Sequence, residues 1–103
     1  MTNGDITNNF TKCEQLRDRI IEFGSETPES RPQNIIIDGM MHYVQCWIFE
    51  EVSIVHSYTT NQNFLVFETD HEEQYIEFEN DSAESLVHFI IQNTDNMFGE
   101  IEE

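Results

Sequence analysis

The chain has 103 residues, of which 38% are hydrophobic and 12% aromatic, and its formal net charge is −17. This length predicts one domain over residues 1–103 with a single modest core, and the apolar content excludes a chain that is disordered by composition. Only four residues are Lys or Arg, so the chain cannot form the basic patch that binding to nucleic acid or to an anionic membrane requires, and we expect a cationic partner.

The basic residues are confined to the first third of the chain. Lys12, Arg17, Arg19 and Arg31 all lie within residues 1–31, where six acidic residues bring the net charge to −2. Residues 32–103 contain fifteen acidic residues and no Lys or Arg, which gives −15. Such an excess of one sign opposes a compact state through self-repulsion. Its presence therefore indicates either a solvated surface, as in proteins adapted to high salt, or a surface that faces positive charge.

The cysteines and the N-terminal segment predict a cytoplasmic protein. Cys13 and Cys46 have no CxxC or other metal-ligand spacing and are expected to be buried free thiols in a reducing compartment. The sequence MTNGDITNNF has neither the basic nor the apolar region of a signal peptide. The chain also has no apolar run near the roughly 18 residues that indicate a membrane helix.

The first predicted element is a helix over residues 8–23. Thr11 and Glu14 fit a capping box, although the helix could also begin as early as Thr7, and Gly24 fits the position after the helix end. Apolar residues recur at helical spacing along it, namely Phe10, Cys13, Leu16, Ile20 and Phe23.

A polar linker with two prolines is predicted at 25–33, followed by a β-hairpin. Asp38-Gly39 between apolar runs is typical of a type I′ turn, which would join strands at 34–37 and 40–49. A helix over 40–55 is the alternative, because apolar residues there also recur at helical spacing: Met41, Val44, Ile48, Val52 and Val55. Strands are favoured, because residues 43–58 are rich in aromatic and β-branched side chains.

The stretch SIVHSYTTNQNFLVFE predicts a strand, a turn at Thr60–Asn63 and a second strand, and one more strand is expected after it. Residues 64–68 are predicted to pair with 74–79 across a loop at 69–73. Because side chains alternate along a strand, Gln74, Ile76 and Phe78 should share one face, and Tyr75, Glu77 and Glu79 the other.

The last predicted element is a second helix that ends near residue 94. Asp81 is the expected N-cap, with Glu84 at the third helical position. The fold class is therefore α+β, with an antiparallel sheet of three to five strands packed with an N-terminal and a C-terminal helix. The predicted core consists of Leu16, Ile20, Trp47, Ile76, Phe78, Leu86 and Ile90.

Motifs for catalysis or metal binding are absent from the sequence, and we expect neither an enzyme nor a cofactor. Phosphoryl-transfer chemistry would require Lys or Arg, which residues 32–103 lack, and there is no G-x-S-x-G turn or Gly-rich phosphate loop. The four histidines have no H-x-x-x-H spacing, and no Gly lies among the clustered acids as an EF-hand loop would need. We therefore predict no specific metal site.

The most unusual stretch is FETDHEEQYIEFENDSAE at 67–84, which holds eight carboxylates in eighteen positions. Asp81 and Glu84 suit the positive end of the second helix, but the other six have no such structural purpose. We predict that these six bind the partner: Glu68, Asp70, Glu72, Glu73, Glu77 and Glu79. A merely solvated surface is the alternative.

Within this region, YIEFENDSAESLVHFI at 75–90 combines an acidic strand, a loop and a helix. Together with the small size and extreme acidity, it resembles phage-encoded proteins that mimic nucleic acid, and among them the short anti-CRISPR proteins. The resemblance implies an inhibitor in the host-cell cytoplasm. Its partner would be a basic nucleic-acid-binding protein such as an RNA-guided nuclease, and it would block either the site that reads the duplex motif beside the target or the guide-binding channel.

The same charge pattern also suits other inhibitor classes. An immunity protein or antitoxin that neutralises a basic nuclease toxin is the first alternative, and an inhibitor of host transcription or restriction is the second. All of these predict protein–protein binding, with no direct contact to nucleic acid.

Overall fold

A computed structural model describes residues 4–24, 26–68, 72–79 and 81–94. It contains two helices and five strands: α1 (Gly4–Glu22), β1 (Glu29–Ile37), β2 (Met40–Ile48), β3 (Val52–Ser57), β4 (Gln62–Glu68), β5 (Glu73–Phe78) and α2 (Ala83–Asn93). The strands form one antiparallel sheet in the order β1-β2-β3-β4-β5. The predicted α+β class is thus confirmed, with five strands. No described helix is both long and apolar enough to cross a membrane.

Both helices pack on one face of the sheet, which we call the helix face. Leu16 and Ile20 of α1 and Val87 and Ile90 of α2 are buried against sheet residues such as Leu65. Six of the seven predicted core residues are buried. The exception is Ile76, which is only partly buried, because β5 lies at the edge of the sheet and its side chain packs at the margin of the core.

The opposite face of the sheet, which we call the open face, has its own apolar cluster. The cluster contains no described helix residue. Its buried members on β2, β3 and β4 are Val44, Cys46, Val55, Phe64 and Val66. These side chains cover one another across neighbouring strands. The rings of His42 on β2 and Phe64 on β4, for example, lie 6.3 Å apart across the intervening strand β3.

The hairpin between β1 and β2 forms as predicted. Asp38 and Gly39 have φ values of 53° and 81°, the left-handed conformation that a type I′ turn requires. The helix alternative for 40–55 is wrong, because β2 and β3 occupy that region. The predicted linker at 25–33 is shorter than expected, because β1 begins at Glu29. Pro32 is tolerated within β1 because that strand is at the sheet edge.

The remaining boundaries differ in detail. Helix α1 begins at Gly4, before the predicted start, so Thr11 and Glu14 lie inside the helix and do not cap it. The β3–β4 turn lies at 58–61, because Gln62 and Asn63 already belong to β4. Ser82, rather than Asp81, caps α2, because its hydroxyl oxygen accepts the N–H of Ser85 at 3.1 Å.

Candidate functional site

Strand β5 forms an acidic edge of the sheet, and its register with β4 determines where the carboxylates point. Glu68 lies directly opposite Glu73, Val66 opposite Tyr75, and Phe64 opposite Glu77. Because directly paired residues share a face, Glu68, Glu73 and Glu77 project from the open face, and all three are exposed. The predicted alternation within β5 is therefore confirmed, with Phe78 buried on the helix face.

Tyr75 holds one of these carboxylates in place. Its hydroxyl donates a hydrogen bond to the Oε1 atom of Glu73 at 2.9 Å. Burial, this hydrogen bond and the charge of Glu73 together raise the pKa of Tyr75 to about 12. The phenol therefore remains a neutral donor over the physiological pH range, and Glu73 remains oriented on the open face.

The other predicted partner-binding residues are distributed along and beside β5. Glu77 accepts a hydrogen bond from the side-chain amide of Gln62 at 3.0 Å. Glu79 is exposed just beyond the strand, and its backbone carbonyl accepts a hydrogen bond from Lys12. Glu72 is exposed immediately before the strand. Asp70 lies outside the described residues.

The three arginine side chains form ion pairs with other acidic residues. Arg17 pairs with Asp18 at 2.9 Å, and Arg31 pairs with Glu29 at 2.8 Å. Arg19 pairs with both Glu22 and Glu84 and lies over the ring of Phe23. Within the described part of the chain, the four residues Glu68, Glu73, Glu77 and Glu79 make no ion pair with Lys or Arg.

A groove of about 270 Å³ runs along the open face beside these acids. Cys46, Val55 and Val66 contribute to its apolar floor. One wall carries Arg31 and Gln33 of β1, and the other carries Glu68, Glu73 and Tyr75. Small-molecule sites usually begin at about 300 Å³, so this groove suits a single long side chain, whose apolar stem would cover the floor while a cationic end reaches the carboxylates.

The two thiols are buried and free, as predicted. Cys13 belongs to α1 and is inaccessible in the core between this helix and the sheet, and burial raises the pKa of its thiol far above the ordinary value. Burial also raises the pKa of Cys46, although the hydrogen bond from Gln33 and the charge of Arg31 oppose this shift. Neither thiol has the lowered pKa of a reactive cysteine.

A buried serine–histidine pair lies near the β3–β4 turn. The Nδ1 atom of His42 is 2.8 Å from the hydroxyl oxygen of Ser57, and both side chains are buried. The same hydroxyl accepts the backbone N–H of Thr60 at 3.1 Å. Ser57 is completely inaccessible, so a substrate could not reach this pair. Its hydrogen bonds stabilise the turn.

A second buried polar network joins the same turn to α1. His56 contacts the side-chain oxygen of Asn63 at 2.8 Å, and the Asn63 amide donates to the backbone carbonyl of Asn9 at 2.9 Å. The Asn9 amide donates in turn to the carbonyl of Asn61 at 2.8 Å. These histidines have a structural role, and no group of three metal-ligand side chains is found among the residues that the structure describes.

Sequence reasoning missed a second exposed feature, at the far end of the β1–β2 hairpin. Ile36, Met41, Tyr43 and Tyr58 are all about half exposed there. The sequence does contain a signal for it. Ile35, Ile36 and Ile37 are consecutive, so an alternating strand must direct at least one of these isoleucines to each face.

Comparison with known proteins returned no match to any family model, curated protein or solved structure.

Proposed function

We propose that this protein is an acidic inhibitor that mimics nucleic acid and occupies the basic DNA- or RNA-binding site of a bacterial defence nuclease, as anti-CRISPR proteins do. The observation that carries the proposal is a set of exposed carboxylates on β4 and β5 and just beyond β5, which make no ion pair with Lys or Arg in the described residues, namely Glu68, Glu73, Glu77 and Glu79. No Lys or Arg occurs anywhere in residues 32–103 to neutralise them.

The spacing of these charges supports an electrostatic decoy. Glu72, Glu73, Glu77 and Glu79 span seven residue steps, or about 23 Å at about 3.3 Å per step. One strand of B-DNA carries about seven phosphates over that length. The acidic edge thus reaches about half the charge density of one DNA strand. That density is enough to steer the protein to a basic channel, without matching individual phosphates.

The groove beside the acidic edge supports direct contact with basic side chains. Lys and Arg combine an apolar stem with a cationic end. Val55 and Val66 would contact the stem, while Glu68 and Glu73 would pair with the charge. A channel that binds phosphates presents many such side chains, so the same residues that recognise nucleic acid would recognise this surface.

An immunity protein or antitoxin directed against a basic nuclease toxin is the second candidate. The observation that favours it is the pair of half-exposed aromatic residues Tyr43 and Tyr58. Tight protein complexes concentrate their binding energy in such aromatic residues, whereas a decoy for nucleic acid can act through charge alone.

Displacement of nucleic acid tests the proposal. Purified single-effector RNA-guided nucleases, each loaded with guide and bound to a fluorescent target duplex, are titrated with the protein, and the release of the duplex is followed by anisotropy. We expect at least one nuclease to release its duplex. In parallel, the protein is used to capture basic proteins from bacterial lysate at low salt.

The outcomes separate the candidates. Inhibition of a purified nuclease toxin, without release of duplex from any RNA-guided nuclease, would favour the immunity protein. If no nuclease is inhibited and no basic protein is retained, the decoy proposal is wrong.

A further inference from the structure

Among the residues that the structure describes, five of the six exposed large apolar side chains lie at one end of the sheet. The exposed fraction of the residue surface is 59% for Ile36, 56% for Met41 and 49% for each of Tyr43 and Tyr58. Met40 lies at the same end of the hairpin. The cause is the unequal length of the strands. Strands β1 and β2 have nine residues each, whereas β3 has six, so the β1–β2 hairpin extends past its neighbour.

Two hydrogen bonds fix the tyrosines beside one another. The N–H of Tyr58 donates to the carbonyl of Tyr43 at 2.8 Å, and the N–H of Tyr43 donates to the hydroxyl of Thr59 at 2.9 Å. The two rings lie 5.5 Å apart with their planes 31° from parallel. The two tyrosines therefore form a pair whose backbones are hydrogen-bonded, and each residue remains about half exposed.

Tyr58 is in contact with aromatic rings that lead to the core. The ring of Phe10 on α1 is 6.2 Å from that of Tyr58 and 5.4 Å from that of Trp47. The ring of His56 meets Tyr58 edge-on at 5.2 Å. A shallow pocket lies between Phe10, His56, Tyr58 and Asn61. Because these neighbours support Tyr58, the exposed pair would bind without a large ordering cost.

The carboxylate of Glu14 lies on the same side of α1 as the ring that packs on Tyr58. Glu14 follows Phe10 by one turn of α1, so both side chains project on the same side of the helix. The pKa of the Tyr58 phenol is raised, chiefly by burial and further by the nearby side chains of Tyr43 and Glu14. Because the ring of Phe10 packs on that of Tyr58, Glu14 lies one helical turn from this contact, on the side of α1 that carries Phe10.

We propose that Tyr43, Tyr58 and Glu14 form a binding site for an arginine side chain of a basic protein partner. The guanidinium would stack on the accessible tyrosine rings and pair with Glu14. Ile36 and Met41, which lie directly opposite each other on β1 and β2, would contact apolar side chains next to that arginine. The basic character of the partner rests on the proposed function.

Charge distinguishes this occupant from a second copy of the chain. Each copy has a net charge of −17, so two copies would repel one another strongly at this or any other surface. Arginine is preferred to lysine because its planar guanidinium stacks on aromatic rings and pairs with a carboxylate at the same time. A basic partner could thus contact both the acidic edge and this aromatic site.

The site is tested with defined peptides and the full-length chain. Two capped pentapeptides, Gly-Arg-Leu-Arg-Gly and Gly-Lys-Leu-Lys-Gly, are titrated at constant ionic strength. The tyrosine ring resonances are followed by NMR in the parent protein, and the backbone amide resonances are followed in the parent and in every variant. The arginine peptide should shift the resonances of Tyr43 and Tyr58 and should bind about two- to fivefold more tightly than the lysine peptide.

Matched variants separate stacking from charge and from loss of fold. Changing Tyr43→Phe with Tyr58→Phe preserves the rings and should keep the arginine preference. Changing Tyr43→Ser with Tyr58→Ser should abolish that preference while leaving the lysine peptide's affinity within twofold. A retained parent-like NMR spectrum confirms that the Ser variant is folded.

Two outcomes would overturn the proposal. One is equal affinity for the two peptides in the parent protein. The other is a concentration-dependent dimer in sedimentation that the Ser variant abolishes, which would assign the surface to a second copy. Because no nuclease is used, failure here leaves the proposed function standing, and failure of nuclease inhibition leaves this site standing.

Discussion

Glu68 and Glu73 lie directly opposite each other across β4 and β5, with both carboxylates exposed on the open face. Like charges in this arrangement destabilise a sheet, and no Lys or Arg among the described residues pairs with either of them. Under the proposed function, the two carboxylates are held in this arrangement to receive a cationic side chain of the partner.

Changing Glu68→Gln should therefore stabilise the isolated protein. The substitution removes the repulsion and leaves the hydrogen bond between Tyr75 and Glu73 intact, so the free energy of unfolding should rise by about 0.2–1 kcal/mol. Urea denaturation measures this change, with Glu50→Gln as the control for loss of another exposed acid. Equal gains for both variants would mean that only the total charge matters.

The position of Ile76 at the sheet edge leads to a second prediction. Leu65 is completely buried at the centre of the core, whereas Ile76 is partly buried. Changing Leu65→Ala should cost about 2–5 kcal/mol, and Ile76→Ala should cost distinctly less, because water already reaches part of that side chain. Equal losses in urea denaturation would show that Ile76 belongs to the core as the sequence indicated.

High pH should destabilise the protein through Tyr75. Its pKa is raised from 10.0 to about 12, so the fold favours the neutral phenol. This contribution is fully present below pH 10 and is lost as the pH rises through about 12. Measuring unfolding as a function of pH should show a decline in this range that is smaller in Tyr75→Phe. An identical decline in the two proteins would assign the effect to other groups.

The cap of α2 provides a fourth prediction. Because Ser82 and not Asp81 accepts the N–H of Ser85, Ser82→Ala should cost about 0.5–2 kcal/mol. Asp81→Ala should cost less, since that residue contributes only its charge near the helix terminus. Thermal denaturation of the two variants compares them directly, and a larger loss for Asp81→Ala would restore the assignment made from sequence.

The order of elements and the hairpin at Asp38-Gly39 could be predicted because local chemistry determines them. The ambiguity over 40–55 arose because both faces of the sheet are buried there. Val44 and Val55 lie on the open face while Trp47 and Val52 lie on the helix face, so apolar residues occur without clear alternation. Aromatic and β-branched content resolved this case correctly.

The candidate site was predicted in part. Alternation within β5 predicted that Tyr75 and Glu77 share a face, and Glu68 and Glu73 were both proposed as binding residues. Their direct opposition depends on the exact register of β4 and β5, which the pattern of charges in the sequence does not encode. The aromatic site at the hairpin end was missed because it requires the relative lengths of β1, β2 and β3 and the position of Tyr58 beside Tyr43.

The central claim is that the carboxylates of β4 and β5 bind a basic nucleic-acid-binding protein. The most direct test uses two triple variants with the same change in net charge. The site variant carries Glu68→Gln, Glu73→Gln and Glu77→Gln. The control variant carries Asp18→Asn, Glu22→Gln and Glu26→Gln, which neutralise exposed acids at the end of α1 and just after it.

The measurement is the rate of association with a nuclease that the parent inhibits, taken at several salt concentrations. The account predicts that the site variant associates at least about tenfold more slowly than the parent at low salt, that the control stays close to the parent, and that the difference shrinks as salt screens the charges. Equal rates and equal inhibition by the parent and the site variant would contradict it.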